Sequence, residues 1–567
     1  MKVCKKVLSF FGLMILVFVT CLAKEPQKTL SPVLQAMESE LSRTLVTLKD
    51  QPTPPYFLSY EITETNSVGA YGTFGALTSS AESRRRLLDI DLRVGDYSLD
   101  NTHPIRGGLS DFSERYSIIE IPIEDNPDAI RSILWYHTDR KYKRSLERLT
   151  QIKTDIRMKV GEEDKSGDFS PESPDNYIED PVKIKVNRAL WEEKVRKYTA
   201  PFAKFGDIYE ARASLDATVE TRWYVSSEGS RIQTSQGYCR LAISAFTKAE
   251  DGMELPRYES FFSLTPDGLP DDGTVLKAVE KMINDLHALR TAPTVDPYTG
   301  PAILSGRASG VFFHEVFGHR IEGHRQKRVE EAQTFRKMLN EKVLPETFSV
   351  YFDPNVTRFG NADLSGSYRY DNQGVKARRV PIIEKGVFKG FLMSRTPIEG
   401  FPKSNGHGRK QPGFTTVSRQ SNLFVEVSQA MSRAELKNRL IEQLKKENKP
   451  FGLYFENIQG GFTMTGRTIP NAFNVLPIMV YRIYVDGREE LVRGVDLIGT
   501  PLTAFSKIEA ADDQIGIFDG ICGAESGGVP VSSVSPGILV SQIEVQKKAK
   551  SEERPPILPP PFKDNKQ

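Results

Sequence analysis

The stretch FFHEVFGHRIEGHR, residues 312–325, contains three of the chain's seven histidines. Its polar part begins with His314-Glu315, the pair that also opens the zinc-protease motif H-E-x-x-H. The second histidine, His319, comes five residues after the first, whereas that motif has it after four. Two imidazoles could hold a metal ion, and the carboxylate beside them could act as a general base.

The spacing of these histidines limits how they could bind one ion. In a regular α-helix, five residues rotate a side chain by about 140° and advance it by about 7.5 Å. A single π-type turn would bring His314 and His319 together, and Gly318 is where such a turn costs least. The alternative is a helix with scattered surface histidines. Spacing alone leaves both interpretations open.

The elements before the motif are predicted to form an N-terminal α/β domain. Residues 31–51 have helical spacing of apolar residues, with Ser31 as N-cap and Pro32 just inside. Alternating strands follow from residue 56, then a long helical stretch at 126–159 and a helix near 188–198. A connector that contains several prolines predicts a domain boundary near residue 295, so this domain would span residues 24–295.

The C-terminal part is predicted to be mainly antiparallel β-sheet and to carry the motif helix, which makes the whole chain α+β. This domain would span residues 296–546, with a second helix at 328–342. Hairpin turns are expected at Lys385-Gly386 and Asp486-Gly487. The charged, proline-rich residues 547–567 are expected to be a disordered tail.

The N-terminus predicts export to the periplasm or cell envelope. Residues 1–23 have a basic start, an apolar run and a small residue, Ala23, in the order of a secretory signal peptide. Two alternatives to a cleaved signal peptide remain. The apolar run is long enough for an uncleaved membrane anchor, and Cys21 could carry the lipid of a lipoprotein. Removing three lysines with this segment changes the formal charge from +2 to −1, which gives no electrostatic case for nucleic-acid binding. Only Cys239 and Cys522 lie beyond it, so the chain has no disulfide framework.

Several segments between residues 300 and 545 occur in the order of known family motifs. They are HEVFGHRIEG, YRYDNQGVKARRVPIIEKGVFKGFLMSR, SNGHGRK, GVDLIGTP and GICGAESGGVPVSSVSPGILV. The first resembles H-E-x-x-G-H-x-x-E-G and the last resembles C-G-x-x-G-Q-x-V-P-V of the TldD/PmbA family (modulator of DNA gyrase). The resemblance is to its TldD-like zinc metallopeptidase branch. Residues 30–295 resemble the family only in general character, as an α/β domain of helix and strands.

The resemblance implies a zinc site and its chemistry. His314, His319 and Cys522 would be the ligands, which leaves the fourth position of a tetrahedral Zn²⁺ to water. Glu315 would take the proton of that water as it attacks a peptide carbonyl, then pass it to the leaving amine. Family members are dimers that act on flexible or unfolded peptides. A homodimer is therefore expected, with a heterodimer containing a PmbA-like subunit as the alternative.

Further residues are candidates with competing interpretations. His324 stands ten residues after His314, as a third metzincin ligand would, and is otherwise a rim or surface residue. The other weak candidates, for substrate binding, are Asn405, His407, Arg409, Gly460 and Gly461. A solvated loop position is the alternative for His407. The segment GGFTMTGRT, which begins with this glycine pair, lacks the acidic residues that the family has there. The residues that would line the substrate are therefore undetermined.

The sequence therefore predicts an exported zinc-dependent metallopeptidase that hydrolyses flexible or unfolded peptides. Two alternatives come from other classes of protein. One is a hydrolase that uses Cys522 as its nucleophile, with a histidine as base. The other is a non-catalytic envelope peptide-binding protein with a structural zinc, although Glu315 would have no use in such a site.

Overall fold

The computed structural model describes residues 30–105, 117–157, 164–327, 331–466, 472–551 and 553–561. The predicted signal peptide, Cys21 included, lies outside these residues. The described chain forms two sheet-based domains, and the α+β class is confirmed. No helix within the described ranges combines the length and the apolar character needed to cross a membrane.

The N-terminal domain is built on a six-stranded sheet with strand order β2-β1-β4-β5-β3, and β6 also pairs with β5. All of its pairings are antiparallel except the short one between β3 and β5. The strands are β1 Pro55–Thr73, β2 Ala76–Val94, β3 Asn176–Ile178, β4 Glu210–Ser226, β5 Arg231–Lys248 and β6 Glu254–Ser263.

Helices cover one face of this sheet. They are α1 Pro32–Leu48, α2 Pro127–Arg157, α3 Arg188–Thr199 and α4 Asp272–Thr291. As predicted, the Ser31 hydroxyl caps α1, and it accepts the Leu34 N–H. On β1, Leu58 and Ile62 pack with α1 and α2, whereas Ala70 belongs to the cluster of α3 and α4. Because alternate residues of a strand share a face, both helix pairs lie on the same side. The C-terminal domain contacts the opposite face, and its residues Ile478 and Met479 also join the cluster of α3 and α4.

The C-terminal domain contains an eleven-stranded sheet of mixed direction, ordered β12-β11-β8-β15-β21-β19-β17-β16-β7. A further pairing between β21 and β7 closes five strands into a ring, and β18 and β20 pair with β17 and β21. The strands are β7 Tyr298–Leu304, β8 Phe348–Phe352, β9 Arg358–Phe359, β10 Ala362–Asp363, β11 Val380–Glu384, β12 Val387–Phe388, β13 Gly408–Arg409, β14 Val417–Ser418, β15 Asn422–Val427, β16 Phe451–Thr463, β17 Phe473–Tyr484, β18 Glu489–Val492, β19 Val495–Gly499, β20 Ile508–Ala524 and β21 Gly527–Lys547.

Short helices and tight turns complete this domain. The helices are α5 Gly306–Phe312, α6 His324–Lys327, α7 Arg433–Lys446 and α8 Pro501–Ser506. Both predicted hairpin turns are present. Lys385 and Gly386 have φ of 47° and 78°, and Gly487 has φ of 85°, which is the left-handed region that such turns require.

The helix predicted at residues 328–342 is wrong for its described part, 331–342. That part contains only the 3₁₀ turn Arg336–Met338. Gln333 and Asn340 have φ of 50° and 66°, and residues in the left-handed region interrupt an α-helix. The fully buried Phe335 joins the domain core from this irregular segment, so tertiary packing outweighs the local helical pattern.

The predicted tail follows β21 without further helices or strands in residues 548–551 and 553–560. Parts of it contact the N-terminal domain, since Arg554 donates to the Glu250 carbonyl at 2.9 Å and Glu553 pairs with Lys248. The disorder expected for residues 547–567 stays a prediction.

Candidate metal centre

The turn that carries the two motif histidines is wider than a turn of regular α-helix. Helix α5 is capped by the Ser305 hydroxyl and continues as the π-helical turn Phe313–Phe317, followed by the 3₁₀ turn Gly318–Ile321. The wider turn brings His314 and His319 to the same side, with ring centroids 5.0 Å apart. Of the two interpretations that the spacing left open, the structure has the π-type turn.

Packing on the other side fixes this turn in place. Phe313 and Phe317 are completely buried in the domain core and anchor its apolar face. On the polar side, the backbone passes close to Gln420, whose Nε2 donates to the His314 carbonyl at 3.3 Å. A Cβ on Gly318 would lie 2.0 Å from Gln420 Oε1, so a larger residue here would have to displace the end of that buried side chain.

Cys522 reaches the histidines from a distant hairpin. It lies near the end of β20, opposite Val529 of β21, and its side chain is buried. Its Sγ is 3.3 Å from His319 Nε2. One ligand atom each from His314, His319 and Cys522 lie within 4.8 Å of one another, and they form the one such group found among the described residues.

The surroundings of the group favour a thiolate at Cys522 and an imidazolium at His319. Burial would raise the pKa of Cys522, but the charges of His319 and His314 hold it well below its ordinary value. Burial would also lower the pKa of His319, yet Cys522 and Glu322 raise it well above the ordinary value. A thiolate is the form of cysteine that binds a metal, and the His319 imidazolium would release its proton when the ion binds.

Two buried charged residues, Glu322 and Arg419, contact the ligands of this group and orient them. The Nδ1 of His319 lies 3.3 Å from Glu322 Oε2, which directs Nε2 toward Cys522. Burial opposes ionisation of Glu322, but His319 and Arg325 lower its pKa to about 2. Arg419, completely buried, donates from Nη2 to Cys522 Sγ at 3.2 Å and to its carbonyl at 2.6 Å. Such partners fix ligand orientation in metal sites.

Glu315 lies beside the group without joining it. Its Oε2 is 4.0 Å from His319 Nε2, and its side chain is mostly buried. Gly461 of β16 packs against it, since a Cβ there would lie 2.9 Å from Glu315 Cγ. The buried Arg320 donates to the Glu315 carbonyl at 3.1 Å and so holds the backbone of this turn.

His324 is not brought to the three ligand atoms, and it is buried rather than at a surface. Its Nε2 contacts Glu525 of the β20–β21 turn, which also accepts from Arg325 at 2.8 Å. Burial and the Arg325 charge lower the pKa of His324 despite this carboxylate. The histidine thus links the motif to the hairpin that carries Cys522.

The ligand group lies at the wall of a cleft of about 630 Å³. The C-terminal domain contributes Glu315, Gly460 and Gly461 to the lining, together with residues of β20. The N-terminal domain contributes Arg240 and Tyr258. A cleft of this size can bury a peptide segment beside the metal-binding group.

The other weak sequence candidates lie elsewhere. Asn405, His407 and Arg409 are not among the cleft residues. His407 is completely buried, with Nε2 3.1 Å from Ser421 Oγ, so the structure does not support a solvated loop position. Arg409 donates to the Pro530 carbonyl at 2.9 Å and supports β21.

Sequence reasoning missed Arg419, Glu525 and Arg240. Arg419 stands in the run VSRQSN and Arg240 in the middle of a strand, and neither has a local pattern that indicates a site. Only the long-range pairing of strands brings them to the cleft or its ligands.

The donor set fits a zinc ion. Zinc in proteins is bound by imidazole nitrogen at about 2.0–2.1 Å and by thiolate at about 2.3 Å. The separation of 3.3 Å between His319 Nε2 and Cys522 Sγ is compatible with one ion bound by both. Two imidazoles and a thiolate beside an open cleft leave a position for a further ligand, the arrangement of catalytic rather than structural sites.

An α+β chain with this donor set, next to a carboxylate in a cleft, has the features of a metal-dependent hydrolase. Residues 297–547 match the family model described as the PmbA/TldA metallopeptidase C-terminal domain. A metalloprotease of Archaeoglobus fulgidus is 28% identical over 237 residues, which cover 42% of this chain and 51% of that relative. A zinc metalloprotease TldD homolog of Saccharolobus solfataricus is 26% identical, with 48% and 57% covered. The chain thus spans little more than half the length of these relatives.

The fold also has a counterpart among solved structures. TldE from Thermococcus kodakarensis superposes with a TM-score of 0.58 at 14% identity, covering 90% of this chain and 100% of that one. At this identity the likeness shows the fold. The family match covers residues 297–547, so it is this C-terminal part of the chain that belongs to the TldD/PmbA family.

Proposed function

We propose that the protein is an exported zinc-dependent metallopeptidase that hydrolyses flexible or unfolded peptides. The observation that carries this proposal is the convergence of His314, His319 and Cys522 beside Glu315 at one cleft. A structural metal site would have no use for the carboxylate or for the cleft.

The residues would divide the chemistry between them. When bound, the zinc ion would supply Lewis-acid polarisation of the scissile carbonyl and of the attacking water. Glu315 would accept the proton of that water on a carboxylate oxygen and deliver it to the nitrogen of the leaving amine. Glu322 would keep the His319 ring oriented, and Arg419 would hold the Cys522 thiolate.

The cleft suits an extended substrate. Residues 459–463 of β16 pair with β17 on one side, and residues 518–522 of β20 pair with β21 on one side. No further strand pairs with these stretches in the part of the chain that the structure describes. A peptide could add to such an edge through main-chain hydrogen bonds, which do not depend on its sequence. Phe462 and Ile521, 49% and 59% exposed, offer apolar contacts to its side chains.

A cysteine-nucleophile hydrolase is the second candidate, because Cys522 Sγ lies 3.3 Å from His319 Nε2 as a thiolate–imidazolium pair would. The two chemistries differ in what they need. A thiol hydrolase would survive chelation and would be inactivated by thiol alkylation of the metal-free protein. A peptide-binding protein with a structural zinc would hydrolyse nothing.

Location and assembly are part of the same proposal. We infer a mature chain that begins near Lys24 in the periplasm or cell envelope, or a lipoprotein anchored through Cys21. We also infer a homodimer, with a PmbA-like subunit as the alternative partner. Sequencing of the mature N-terminus tests the first inference, and the molar mass of the purified protein in solution tests the second.

The experiment that tests the function replaces Glu315 with glutamine. Glu315→Gln should retain zinc and fold but lose peptidase activity by about 10²–10⁴-fold, the range of a general base. Glu384→Gln, an exposed carboxylate of β11, is the matched control and should behave as wild type. Metal content and hydrolysis of an unstructured peptide are measured on the same preparations. Activity of Glu315→Gln within about tenfold of wild type would exclude the assignment.

A further inference from the structure

The N-terminal domain contributes a cation to the cleft. Arg240 lies on β5, on the face opposite the helices, because its neighbours Cys239 and Leu241 belong to the helix-side core. Its Nη1 donates to Ser260 Oγ at 3.0 Å and to the Asp519 carbonyl of β20 at 3.3 Å. The guanidinium carbon is 5.4 Å from the Phe262 ring centroid. The side chain is thereby held across the boundary between the two domains.

The charge of Arg240 differs from that of the other cation in the cleft. Arg325 is neutralised by ion pairs with Glu322, Glu331 and Glu525. Arg240 forms no ion pair with any residue of the described ranges, and only Nη1 of its guanidinium donates to the protein. Nε and Nη2 remain to form a bidentate contact with an anion, and a carboxylate matches that geometry.

Three carboxylates line the cleft, and Glu315 is the one that lies beside the ligand group, whereas Asp519 and Glu525 are engaged elsewhere. Asp519 accepts from the Ser532 hydroxyl and from the Ser365 N–H, the latter at 3.2 Å. Glu525 is paired with His324 and Arg325. No described carboxylate, the cross-strand neighbour Asp216 included, forms an ion pair with Arg240, so Nε and Nη2 are available to the carboxylate of a bound molecule.

The position of Arg240 along the cleft sets the distance from the ligand group. Asp519, which it contacts, precedes Cys522 by three residues on β20, where pairing with β21 is regular. Three residues of extended chain span about 10 Å. A substrate strand lying along the same edge would cover this distance with about three residues.

We propose that Arg240 binds a carboxylate of the peptide substrate about three residues from the scissile bond, and so selects where the peptide is cut. The inference rests on the proposed peptidase function. The carboxylate could be the C-terminus of the peptide or an aspartate or glutamate side chain. In the first case the enzyme would release short C-terminal fragments.

The test compares matched peptides. An unstructured nonapeptide without acidic residues is supplied with a free C-terminal carboxylate and as its C-terminal amide, and amides with one aspartate at successive positions form a second set. The values of kcat/KM are measured for wild type, Arg240→Gln and Arg240→Lys. Arg212→Gln, an exposed arginine of β4 in the same domain, is the control. The ratio between two peptides on one protein does not change with the fraction of folded enzyme.

We expect amidation to lower kcat/KM of wild type and Arg212→Gln by about 10- to 100-fold, the size of a hydrogen bond to a charged group. Arg240→Gln should cut acid and amide equally, and Arg240→Lys should keep part of the preference. A preference restored by one aspartate, and lost in Arg240→Gln, supports the same contact with a side-chain carboxylate. Wild type that cuts all these peptides equally would overturn the inference and leave the peptidase function standing. Wild type that cuts none would overturn the function itself.

Discussion

Arg419 and Cys522 are 103 positions apart in sequence, yet Arg419 Nη2 donates to both the sulfur and the carbonyl oxygen of that cysteine. The contact fixes the side chain and the backbone of the cysteine at once. It also places a permanent cation against the thiolate, which stabilises the charged form that binds a metal.

This contact predicts an effect on metal affinity. Arg419→Gln should weaken zinc binding by about 10- to 100-fold, as the loss of a supporting partner typically does in metal sites. Competition with a chelator of known affinity measures the change. Arg439→Gln, on the exposed side of α7, is the control. Equal affinities of Arg419→Gln and wild type would show that the arginine serves only the fold.

Cys522, the proposed third ligand, can be tested against His324, the alternative. Cys522→Ala should abolish stoichiometric zinc, because a thiolate is a strong zinc donor that no other described residue near the two histidines replaces. His324→Ala should keep zinc bound, since its ring contacts Glu525 and lies outside the ligand group. Metal analysis of the dialysed variants decides between them. Zinc retained by Cys522→Ala and lost by His324→Ala would mean a ligand set of the metzincin kind.

The close approach at Gly318 predicts a packing effect. Gly318→Ala would push a methyl group into Gln420 and should destabilise the protein by about 1–3 kcal/mol, as overpacking does. Denaturant unfolding measures this change. Gly523→Ala is the control beside Cys522, because nothing lies within 4 Å of a Cβ there. The double variant with Gln420→Ala should recover much of the loss, and an unaltered midpoint for Gly318→Ala alone would contradict the predicted clash.

The buried His407 predicts a dependence of stability on pH. Burial, and then the charge of Arg409, lowers its pKa to about 3, from an ordinary value of about 6.5. Between these values the unfolded chain binds a proton that the folded one does not. The contribution of His407 to the free energy of unfolding therefore falls by about 1.4 kcal/mol for each unit of acidification below pH 6.5.

Denaturation of wild type and His407→Gln at several pH values between 6.5 and 4.5 isolates this contribution. The buried Asp371, with its pKa raised to about 6 by burial, acts in the opposite direction in both proteins and cancels in the difference. Wild type should lose stability faster than the variant as the pH falls. Parallel curves would contradict the prediction.

Local patterns predicted the parts of the fold that local chemistry determines. The histidine spacing left a π-type turn as one of two interpretations, which the structure has at residues 313–317, and Lys385-Gly386 formed the expected hairpin. The helix expected at residues 328–342 failed in its described part because burial of Phe335 outweighs helical periodicity. His407 looked like a loop residue because glycines surround it in sequence, whereas strands distant in sequence bury it. Arg419 and Arg240 act through contacts more than a hundred positions away, and one sequence contains no record of such contacts.

The separation of 203 residues between His319 and Cys522 has a consequence for biosynthesis. A ribosome releases the histidine motif long before the hairpin that bears the cysteine, which is among the last elements of the C-terminal sheet. The nascent chain consequently lacks one of its three metal donors until synthesis is nearly complete. A peptidase arranged in this way would be inactive while it is itself an unfolded polypeptide, which is the class of substrate proposed for its cleft.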